Sequence, residues 1–546
     1  MKKVILFFLI CQVIVFSSIG QQQHHSPEQL GKAYSYLEKK GEVYFSFNKP
    51  EKLQFEKILQ VISVDNVTAE KVFAYANEWE FESFLSEDIP FEVLNHPGDV
   101  DFELNMLSDI NVKDINEWDF YPTYEAYESM MAQFETNFPD KCKIYNIKTL
   151  ASGRKLLFAK VTSNINQPAA KTRFMYTSTM HGDETTGYIL MLRLIDYFLN
   201  NYGTDPKVTY ILDNMELWIC PAENPDGTYA GGNNSVNGST RYNANGTDLN
   251  RNYPNPVQGT NPSGPHEPET VAMMNFTDTM GFVMSANFHG GAECVNYPWD
   301  SWTSSEKLHA DHLWWQMVSH EYADTVHLHS PSSYMSEFDN GITHGGDWYV
   351  IYGSRQDFNG YYRNIRELTI EISNTKLIPA SQLPAHWNYN YRSLINYIYR
   401  ATIGLKGTVT DAETGEPVKA KVFINNYDNE EDNSYVFSRE DFGNYYRPLK
   451  AGTYSVTFSA EGYGPQTFTD VVIQNNQATE LNVQLQAGFF ANFSADITRI
   501  PEGGTVNFIN ESYGEPTQFA WTFEGGTPAT SNLENPSSIQ YNQAWT

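Results

Sequence analysis

Hydrophobic and polar positions in residues 118–404 follow two periods, and these alternate along the chain. Short apolar stretches predict buried strands, and longer stretches with apolar residues three or four apart predict helices between them. This alternation predicts an α/β domain in which one sheet is sandwiched between helices. The predicted strands are Cys142–Ile147, Leu156–Thr162, Arg173–Thr179, Met215–Cys220, Phe282–His289 and Glu367–Ser373, and the predicted helices are Tyr124–Asn137, Glu184–Asn201, Glu267–Met280, Glu306–Ala323 and His386–Ala401.

Smaller patterned regions flank this domain. Residues 41–94 alternate between strand and helix patterns and predict a small α/β unit, which an acidic linker at 98–117 follows. Residues 405–488 carry short alternating strands separated by turn residues, a pattern typical of a β-sandwich. Residues 489–546 begin a second β module, which the pattern predicts to be incomplete. In the small α/β unit the predicted strands are Glu42–Phe47, Lys71–Ala76 and Ile89–Leu94, and the predicted helix is Asn77–Ser86.

The first twenty residues have the pattern of a secretory signal peptide. Two lysines precede an apolar run from Val4 to Phe16, and small residues follow at Ser18 and Gly20. We therefore expect residues 1–20 to be removed, and the domain at 21–117 to begin the mature protein. No later stretch approaches 18 consecutive apolar residues, so the sequence predicts no transmembrane segment. The expected location is outside the cell or at its surface.

Charge and cysteine content narrow the function classes. The net charge of −30 argues against nucleic acid or an anionic membrane as a partner. It would favour cationic substrates, although acidic surfaces also serve solubility alone. Three cysteines, Cys142, Cys220 and Cys294, follow the signal peptide. Their number is odd, so at least one is unpaired within the chain, and we expect buried free thiols rather than a disulfide framework. We also expect the protein to be a monomer.

The strongest chemical signal is His181-Gly-Asp-Glu184, followed about a hundred residues later by His289. His181 and Glu184 lie on a predicted strand-to-helix turn, and His289 ends a predicted strand. Two imidazoles and one carboxylate form an open catalytic zinc site, which leaves a position for water. The HxxE spacing alone is weak evidence, because such pairs are common; His309 and His312, also at helical spacing, are read as an exposed helix face.

Three further positions carry candidate chemistry. Glu371 interrupts the apolar strand Glu367–Ser373, where a buried carboxylate is costly unless it is paired or used. Arg241 and the pair Asn250-Arg251 lie in a polar Gly/Asn-rich loop. A guanidinium beside an amide can hold a carboxylate by two hydrogen bonds, although a single loop arginine is usually only solvated.

These residues resemble the zinc metallocarboxypeptidases, in particular the carboxypeptidase N/E/D subfamily. Asn224-Pro-Asp-Gly227, Asn340–Tyr349, Gln356–Asn359 and the stretch from His289-Gly-Gly to Asp300 also follow the subfamily's pattern. The resemblance implies the metallocarboxypeptidase fold, with a mixed sheet, and one Zn²⁺ per catalytic domain. It implies the following site: His181, Glu184 and His289 bind zinc, Glu371 is the general base and acid, Arg241 polarises the scissile carbonyl, Asn250 and Arg251 bind the terminal carboxylate, and Tyr349 closes over the substrate.

The same resemblance extends to substrate preference and to the flanking units. Asp300 and Gln356 match the residues that line the pocket for basic side chains, which implies a preference for C-terminal Arg or Lys. Residues 21–117 resemble an inhibitory prosegment with its linker, 405–488 a transthyretin-like module and 489–546 a PKD-type module. Arg355, Glu293 and Asp183 depart from the subfamily pattern and leave the fine substrate preference open.

The sequence therefore predicts a secreted zinc exopeptidase that acts on peptide or protein C-termini. Two alternatives remain open at this point. One is a non-catalytic binding or adhesion protein on the same fold, and the other is a peptidase that acts on cell-wall peptides. The presence of Glu371, Arg241 and all three zinc ligands disfavours the first, and the Asn250-Arg251 pair disfavours the second.

Overall fold

The structure, a computed structural model, describes residues 25–542 except 258, 260, 489, 513 and 515. The predicted signal peptide lies outside the described residues. In the part of the chain that is described, no helix combines the length and the apolar character needed to span a membrane.

The N-terminal unit covers residues 27–93 and is built around one four-stranded antiparallel sheet. The strand order is β2-β3-β1-β4. Asn77 caps α3 because its side chain accepts a hydrogen bond from the Glu80 N–H, and the Glu80 side chain accepts one from the Asn77 N–H. The helices α1 and α2 and the strand β2 were not predicted. The elements are α1 (Pro27–Lys40), β1 (Val43–Asn48), α2 (Lys52–Ile58), β2 (Ser63–Val67), β3 (Lys71–Ala76), α3 (Glu78–Leu85) and β4 (Phe91–Val93).

The segment predicted as an acidic linker lies against the following domain. Its short strand β5 (Met106–Leu107) pairs with β6 (Tyr121–Pro122). Ile110 and Val112 are buried in the core of the following domain. Apolar side chains, of which Ile110 and Val112 are buried, therefore anchor this acidic segment to the following domain.

The central domain contains an eight-stranded mixed sheet in the order β13-β12-β14-β11-β9-β10-β8-β7. The inner strands β9, β10, β11 and β14 run parallel to their neighbours within that group. The domain's elements are α4 (Tyr124–Asn137), β7 (Cys142–Thr149), β8 (Lys155–Val161), β9 (Thr172–Ser178), α5 (Thr186–Asn201), α6 (Pro206–Asn214), β10 (Met215–Cys220), α7 (Pro225–Thr228), α8 (Pro268–Met280), β11 (Met284–His289), β12 (Ala292–Tyr297), α9 (His312–His327), β13 (Ile342–His344), α10 (Gly345–Trp348), α11 (Arg355–Arg363), β14 (Arg366–Ser373) and α12 (Leu383–Arg400).

Helices cover both faces of this sheet, as the alternation predicts. Side chains of α4, α5, α9 and α12 pack on one face, and Met273 of α8 and Phe358 of α11 pack on the other. Among the predicted helix starts, that of α9 differs most: this helix begins at His312 rather than at Glu306. His309 precedes this helix and is buried, so its interpretation as part of an exposed helix face is wrong.

Two β modules follow. Residues 404–485 form a sandwich of two four-stranded sheets around their own apolar core. The last module consists of short strands from Phe493 to Tyr541. The strands are β15 (Gly404–Asp411), β16 (Lys421–Ile424), β17 (Val436–Phe437), β18 (Asn444–Arg447), β19 (Gly452–Ser459), β20 (Gln466–Ile473), β21 (Ala478–Glu480), β22 (Val483–Leu485), β23 (Phe493–Ala495), β24 (Gly504–Val506), β25 (Phe508–Asn510), β26 (Trp521–Thr522), β27 (Gly526–Thr527), β28 (Thr530–Ser531) and β29 (Ile539–Tyr541).

A buried ionic network joins the sandwich to the central domain. Asp311, just before α9, accepts hydrogen bonds from Arg366 of β14 and from Arg447 of β18. Arg447 also pairs with Asp428 of the sandwich. All four side chains are buried. The three cysteines Cys142, Cys220 and Cys294 are buried and unpaired among the described residues, as the sequence predicts.

Candidate metal centre and active site

The three predicted metal ligands meet at one edge of the central sheet. His181 and Glu184 occupy the turn between β9 and α5, and His289 is the last residue of β11. His181 Nδ1 lies 2.9 Å from Glu184 Oε1, and His289 Nδ1 lies 3.0 Å from His181 Nδ1 and 2.8 Å from Glu184 Oε2. All three side chains are buried.

These atoms fit a zinc ion. Zinc bonds of about 2.0–2.1 Å in a tetrahedral site place two ligand atoms roughly 3.3 Å apart, which is close to the separations observed. A cation between the two imidazole nitrogens that face each other would use the lone pair of each. Burial lowers the pKa of His289 to about 4, so this imidazole is neutral, as a metal ligand must be.

Asp248 holds His181 in the orientation that a metal requires. His181 Nε2 lies 3.0 Å from Asp248 Oδ1, so the proton on Nε2 is donated to Asp248 and Nδ1 is left with its lone pair. Asp248 also accepts a hydrogen bond from Arg241 Nε at 3.2 Å. Asp248 was not predicted from the sequence as a site residue, although it lies in the same polar loop, two residues before Asn250.

Lys376 is a second functional residue that the sequence analysis missed. Its Nζ lies 2.7 Å from Glu184 Oε1 and is buried. Arg241 Nη1 approaches the same oxygen at 3.2 Å. Two cations therefore share one oxygen of the Glu184 carboxylate. The only sequence signal for Lys376 is its position five residues after Glu371 in the chain.

Glu371 lies beside His289 because β14 pairs with β11 in parallel, and these two residues are register partners. Both face the cavity that also contains Arg241 and Thr369. Glu371 Oε2 is buried and has no hydrogen-bond partner among the residues described. Burial and the Glu184 carboxylate raise the pKa of Glu371 well above its usual value, which suits a group that takes up and returns a proton.

Asn250 and Arg251 line the same cavity. The Arg355 backbone N–H donates to Asn250 Oδ1 at 3.0 Å, so the Asn250 amide nitrogen is left to face the cavity as a donor. Arg251 Nη2 donates to the Val64 carbonyl of the N-terminal unit at 3.0 Å. Tyr349 also contacts this unit, donating from its hydroxyl to the Asp65 carbonyl at 3.2 Å.

Asp300 lines the cavity, whereas Gln356 does not line it but contacts Asp300. Gln356 Nε2 donates to Asp300 Oδ1 at 3.1 Å, and Asn296 Nδ2 donates to the same oxygen at 3.2 Å. Asp357 accepts hydrogen bonds from the Asp300 and Ser301 backbone N–H groups and so fixes this turn. The result is a buried carboxylate with a fixed orientation.

Two of the three departures from the subfamily pattern, Arg355 and Glu293, place no additional charge in this pocket. Arg355 points away from the cavity and pairs with Glu223 and Glu367. Glu293 accepts backbone hydrogen bonds from Met335 and Asn374 and does not line the cavity. The charges of both residues are therefore neutralised or solvated elsewhere.

The N-terminal unit covers the cavity. Glu42 accepts hydrogen bonds from the Arg241 and Tyr242 backbone N–H groups at 2.7 and 2.9 Å. The Asp65 carboxylate lies 3.2 Å from Arg241 Nη1 and 2.6 Å from Lys376 Nζ. The free volume left in the cavity is about 30 Å³, which holds a few water molecules but no amino-acid side chain.

Comparisons with known proteins give the family. The zinc carboxypeptidase family (Peptidase_M14) matches residues 127–393, and the carboxypeptidase regulatory-like domain matches residues 404–486. Carboxypeptidase D of Anas platyrhynchos is 34% identical over 375 residues, which is 66% of this chain and 26% of that protein. Carboxypeptidase M of Mus musculus is 32% identical over 356 residues, which is 63% of this chain and 79% of that protein.

The chain thus spans about a quarter of the carboxypeptidase D relatives that it matches. Among solved structures, carboxypeptidase A from Helicoverpa armigera has a similar fold, with a TM-score of 0.50 and 15% identity over 66% of this chain and 98% of that one. This confirms the metallocarboxypeptidase fold predicted from the sequence. The chain belongs to the zinc carboxypeptidase family and carries a carboxypeptidase regulatory-like domain after its central domain.

Proposed function

We propose that this chain is a secreted zinc-dependent exopeptidase that hydrolyses the C-terminal peptide bond of peptides or proteins, with a preference for C-terminal Arg or Lys. The observation that carries the proposal is one cavity that joins three kinds of group. These are a His₂Glu donor set, the buried Oε2 of Glu371, which has no hydrogen-bond partner among the described residues, and donors for a terminal carboxylate at Asn250 and Arg251.

Each residue has a distinct role in this proposal. Zinc, when bound by His181, Glu184 and His289, supplies Lewis-acid chemistry and lowers the pKa of a water molecule. Glu371 accepts a proton from the attacking water and later donates it to the leaving amine. Arg241 stabilises the negative charge that develops on the carbonyl oxygen.

Substrate binding follows from the remaining residues. The Asn250 amide nitrogen and the Arg251 guanidinium bind the terminal carboxylate, and their placement makes the enzyme act on chain ends. Burial raises the pKa of Asp300, and a cationic side chain entering the pocket supplies the charge partner that favours its ionised form. An apolar side chain supplies none and leaves the carboxylate unpaired, which is the physical basis of the preference.

A set of peptides that differ only in the last residue tests this function. We expect kcat/KM for C-terminal Arg and Lys to exceed that for Phe and Leu by at least roughly tenfold, with all activity lost to a zinc chelator. Asp300→Asn should narrow this ratio with zinc still bound. Asp339→Asn is the matched control, because Asp339 is exposed and lies outside the cavity. A preference for aromatic termini, or an unchanged ratio in Asp300→Asn, refutes the pocket assignment.

We also propose that the N-terminal unit keeps the enzyme latent. Its contacts to the Arg241 and Arg251 guanidinium groups and to the Tyr349 hydroxyl engage the groups assigned here to substrate. Cleavage in the mostly exposed segment 99–105 should raise the activity of the full chain on small peptides. Equal activity before and after complete cleavage and removal of the fragment would make the unit structural rather than inhibitory.

A further inference from the structure

The strand β2 of the N-terminal unit reaches the groups that hold the metal ligands. Its residues Ser63 and Asp65 are both buried against the central domain. Each contacts a residue that in turn contacts a ligand. Two separate hydrogen-bonded paths therefore run from the N-terminal unit to the zinc site.

The first path ends at His181. The Ser63 hydroxyl donates to Asp248 Oδ2, and Asp248 Oδ1 accepts from His181 Nε2 at 3.0 Å. Arg241 Nε donates to Ser63 Oγ at 2.9 Å, which fixes the direction of the hydroxyl proton. Ser63 thus completes the hydrogen bonding of the carboxylate that orients His181.

The second path ends at Glu184 and is ionic. Lys376 Nζ lies between Asp65 Oδ1, at 2.6 Å, and Glu184 Oε1, at 2.7 Å. Arg241 Nη1 bridges the same two carboxylates at 3.2 Å each. Asp65 therefore offsets part of the positive charge of Lys376 and Arg241. These two cations compete with a metal for the carboxylate oxygens of Glu184.

Loss of the Asp65 charge alters this balance. Of the two carboxylates that Lys376 and Arg241 contact, only Glu184 would then carry a charge. The site is buried, so the Coulomb interactions of both cations with Glu184 are strong. A carboxylate that is drawn towards two cations is a poorer zinc ligand, and the one positive charge left uncompensated repels a dication. Partners beyond the ligands commonly change metal affinity by about 10–100-fold.

We propose that the N-terminal unit supplies part of the outer shell of the zinc site, with Ser63 and Asp65 as positioning residues. Docking of this unit then favours the retention of zinc. By linkage, bound zinc favours docking of the unit by the same factor. The inference rests on the proposed zinc-dependent function and concerns its regulation. Departure of the unit would open the cavity and at the same time loosen the metal.

Zinc release from the loaded full chain tests the proposal. Zinc is measured first by elemental analysis and then by its transfer rate to an excess of a chromophoric chelator. We expect Asp65→Asn and Ser63→Ala to release zinc about 10–100-fold faster than the parent chain. Glu92→Gln, an exposed carboxylate of the same unit that pairs with Lys71, should release it at the parent rate. Parent-like rates in both test variants would overturn the proposal.

A double-mutant cycle separates the proposed path from general loosening of the fold. In a Lys376→Met background one of the two cations that Asp65 contacts is gone, so Asp65→Asn should raise the release rate by less than it does in the parent chain. Full additivity of the two effects would show that Asp65 does not act through Lys376. Circular dichroism and thermal melting of each variant identify any that fail to fold.

Reciprocity gives a second measurement that does not involve activity. Removal of zinc from the parent chain should speed proteolytic cleavage in segment 99–105, and added Zn²⁺ should restore protection. Equal cleavage rates with and without zinc would contradict the coupling. A chain that binds no zinc at all would instead refute the proposed function, so the two failures are distinguishable.

Discussion

Asp311 is expected to be a sensitive position for the stability of the central domain joined to the sandwich. It accepts hydrogen bonds from Arg366 at 3.0 and 2.8 Å and from Arg447 at 2.9 Å. Arg447 keeps Asp428 if Asp311 loses its charge, but Arg366 has no second carboxylate within ion-pair distance in the described structure. Asp311→Asn keeps the shape and removes the charge.

The magnitude follows from two arguments. Burial by itself raises the pKa of Asp311, but Arg447 and Arg366 outweigh this effect and lower the pKa from 3.8 to about 2. This shift corresponds to about 2.5 kcal/mol at 1.36 kcal/mol per pKa unit. Breaking a buried ion pair by removing one partner costs about 3–5 kcal/mol. We therefore expect Asp311→Asn to lower the free energy of unfolding by about 3 kcal/mol.

The pH dependence has a definite sign. A carboxyl group whose pKa is lowered by folding stabilises the folded state above its unfolded pKa, and this stabilisation is lost as the pH falls towards the folded value. For Asp311 that loss lies below about pH 3.8. The difference between the parent chain and Asp311→Asn should therefore stay constant between about pH 5 and 8.

Thermal unfolding followed by calorimetry is the assay. A cooperative unit of roughly 370 residues has an unfolding entropy of about 0.8 kcal/mol/K, so 3 kcal/mol corresponds to about 4 °C in Tm. Asp441→Asn is the control, because Asp441 lies at the same domain boundary but is half exposed, and such pairs contribute about 1 kcal/mol or less. An Asp311→Asn shift no larger than the control's would refute the argument.

Two further predictions concern the active site. Glu371→Gln should fold and bind zinc normally but lose about 10²–10⁴-fold in kcat, the usual value of general acid–base catalysis; steady-state kinetics with parallel zinc analysis checks this, and a near-normal kcat would mean that the base lies elsewhere. Asp248→Asn should weaken zinc binding by about 10–100-fold because His181 loses the acceptor that fixes its tautomer; chelator competition measures this, and unchanged affinity would show that Asp248 does not orient His181.

Some of the site was predictable because its residues end apolar strands. His289 closes β11, and His181 and Glu184 follow β9, so strand prediction alone brings these residues to one edge of a sheet. Glu371 was identifiable as a carboxylate within an apolar strand. The position of each residue was thus encoded by its local pattern.

Other parts of the site could not be read from local pattern. Lys376 is a single lysine in a polar loop, and its burial depends on Glu184 and Asp65, which are distant in sequence. Arg355 is neutralised by Glu223 and Glu367, from two other elements. The strand β2, Ser63–Val67, is short and half polar, so it gave no strand signal although it covers the active site.

The polar character of the contacts between the N-terminal unit and the cavity determines how readily the unit can dissociate. Its contacts at the cavity are made mainly by carboxylates and hydroxyls, including Glu42, Asp65 and Tyr75, the last of which donates to Asp183 at 2.7 Å. Burying such groups costs desolvation free energy that offsets much of their Coulomb attraction. An interface of this kind fixes one orientation closely while its net stability stays modest. Once the linker is cut, water can replace each of these partners, which lowers the free-energy cost of separating the unit.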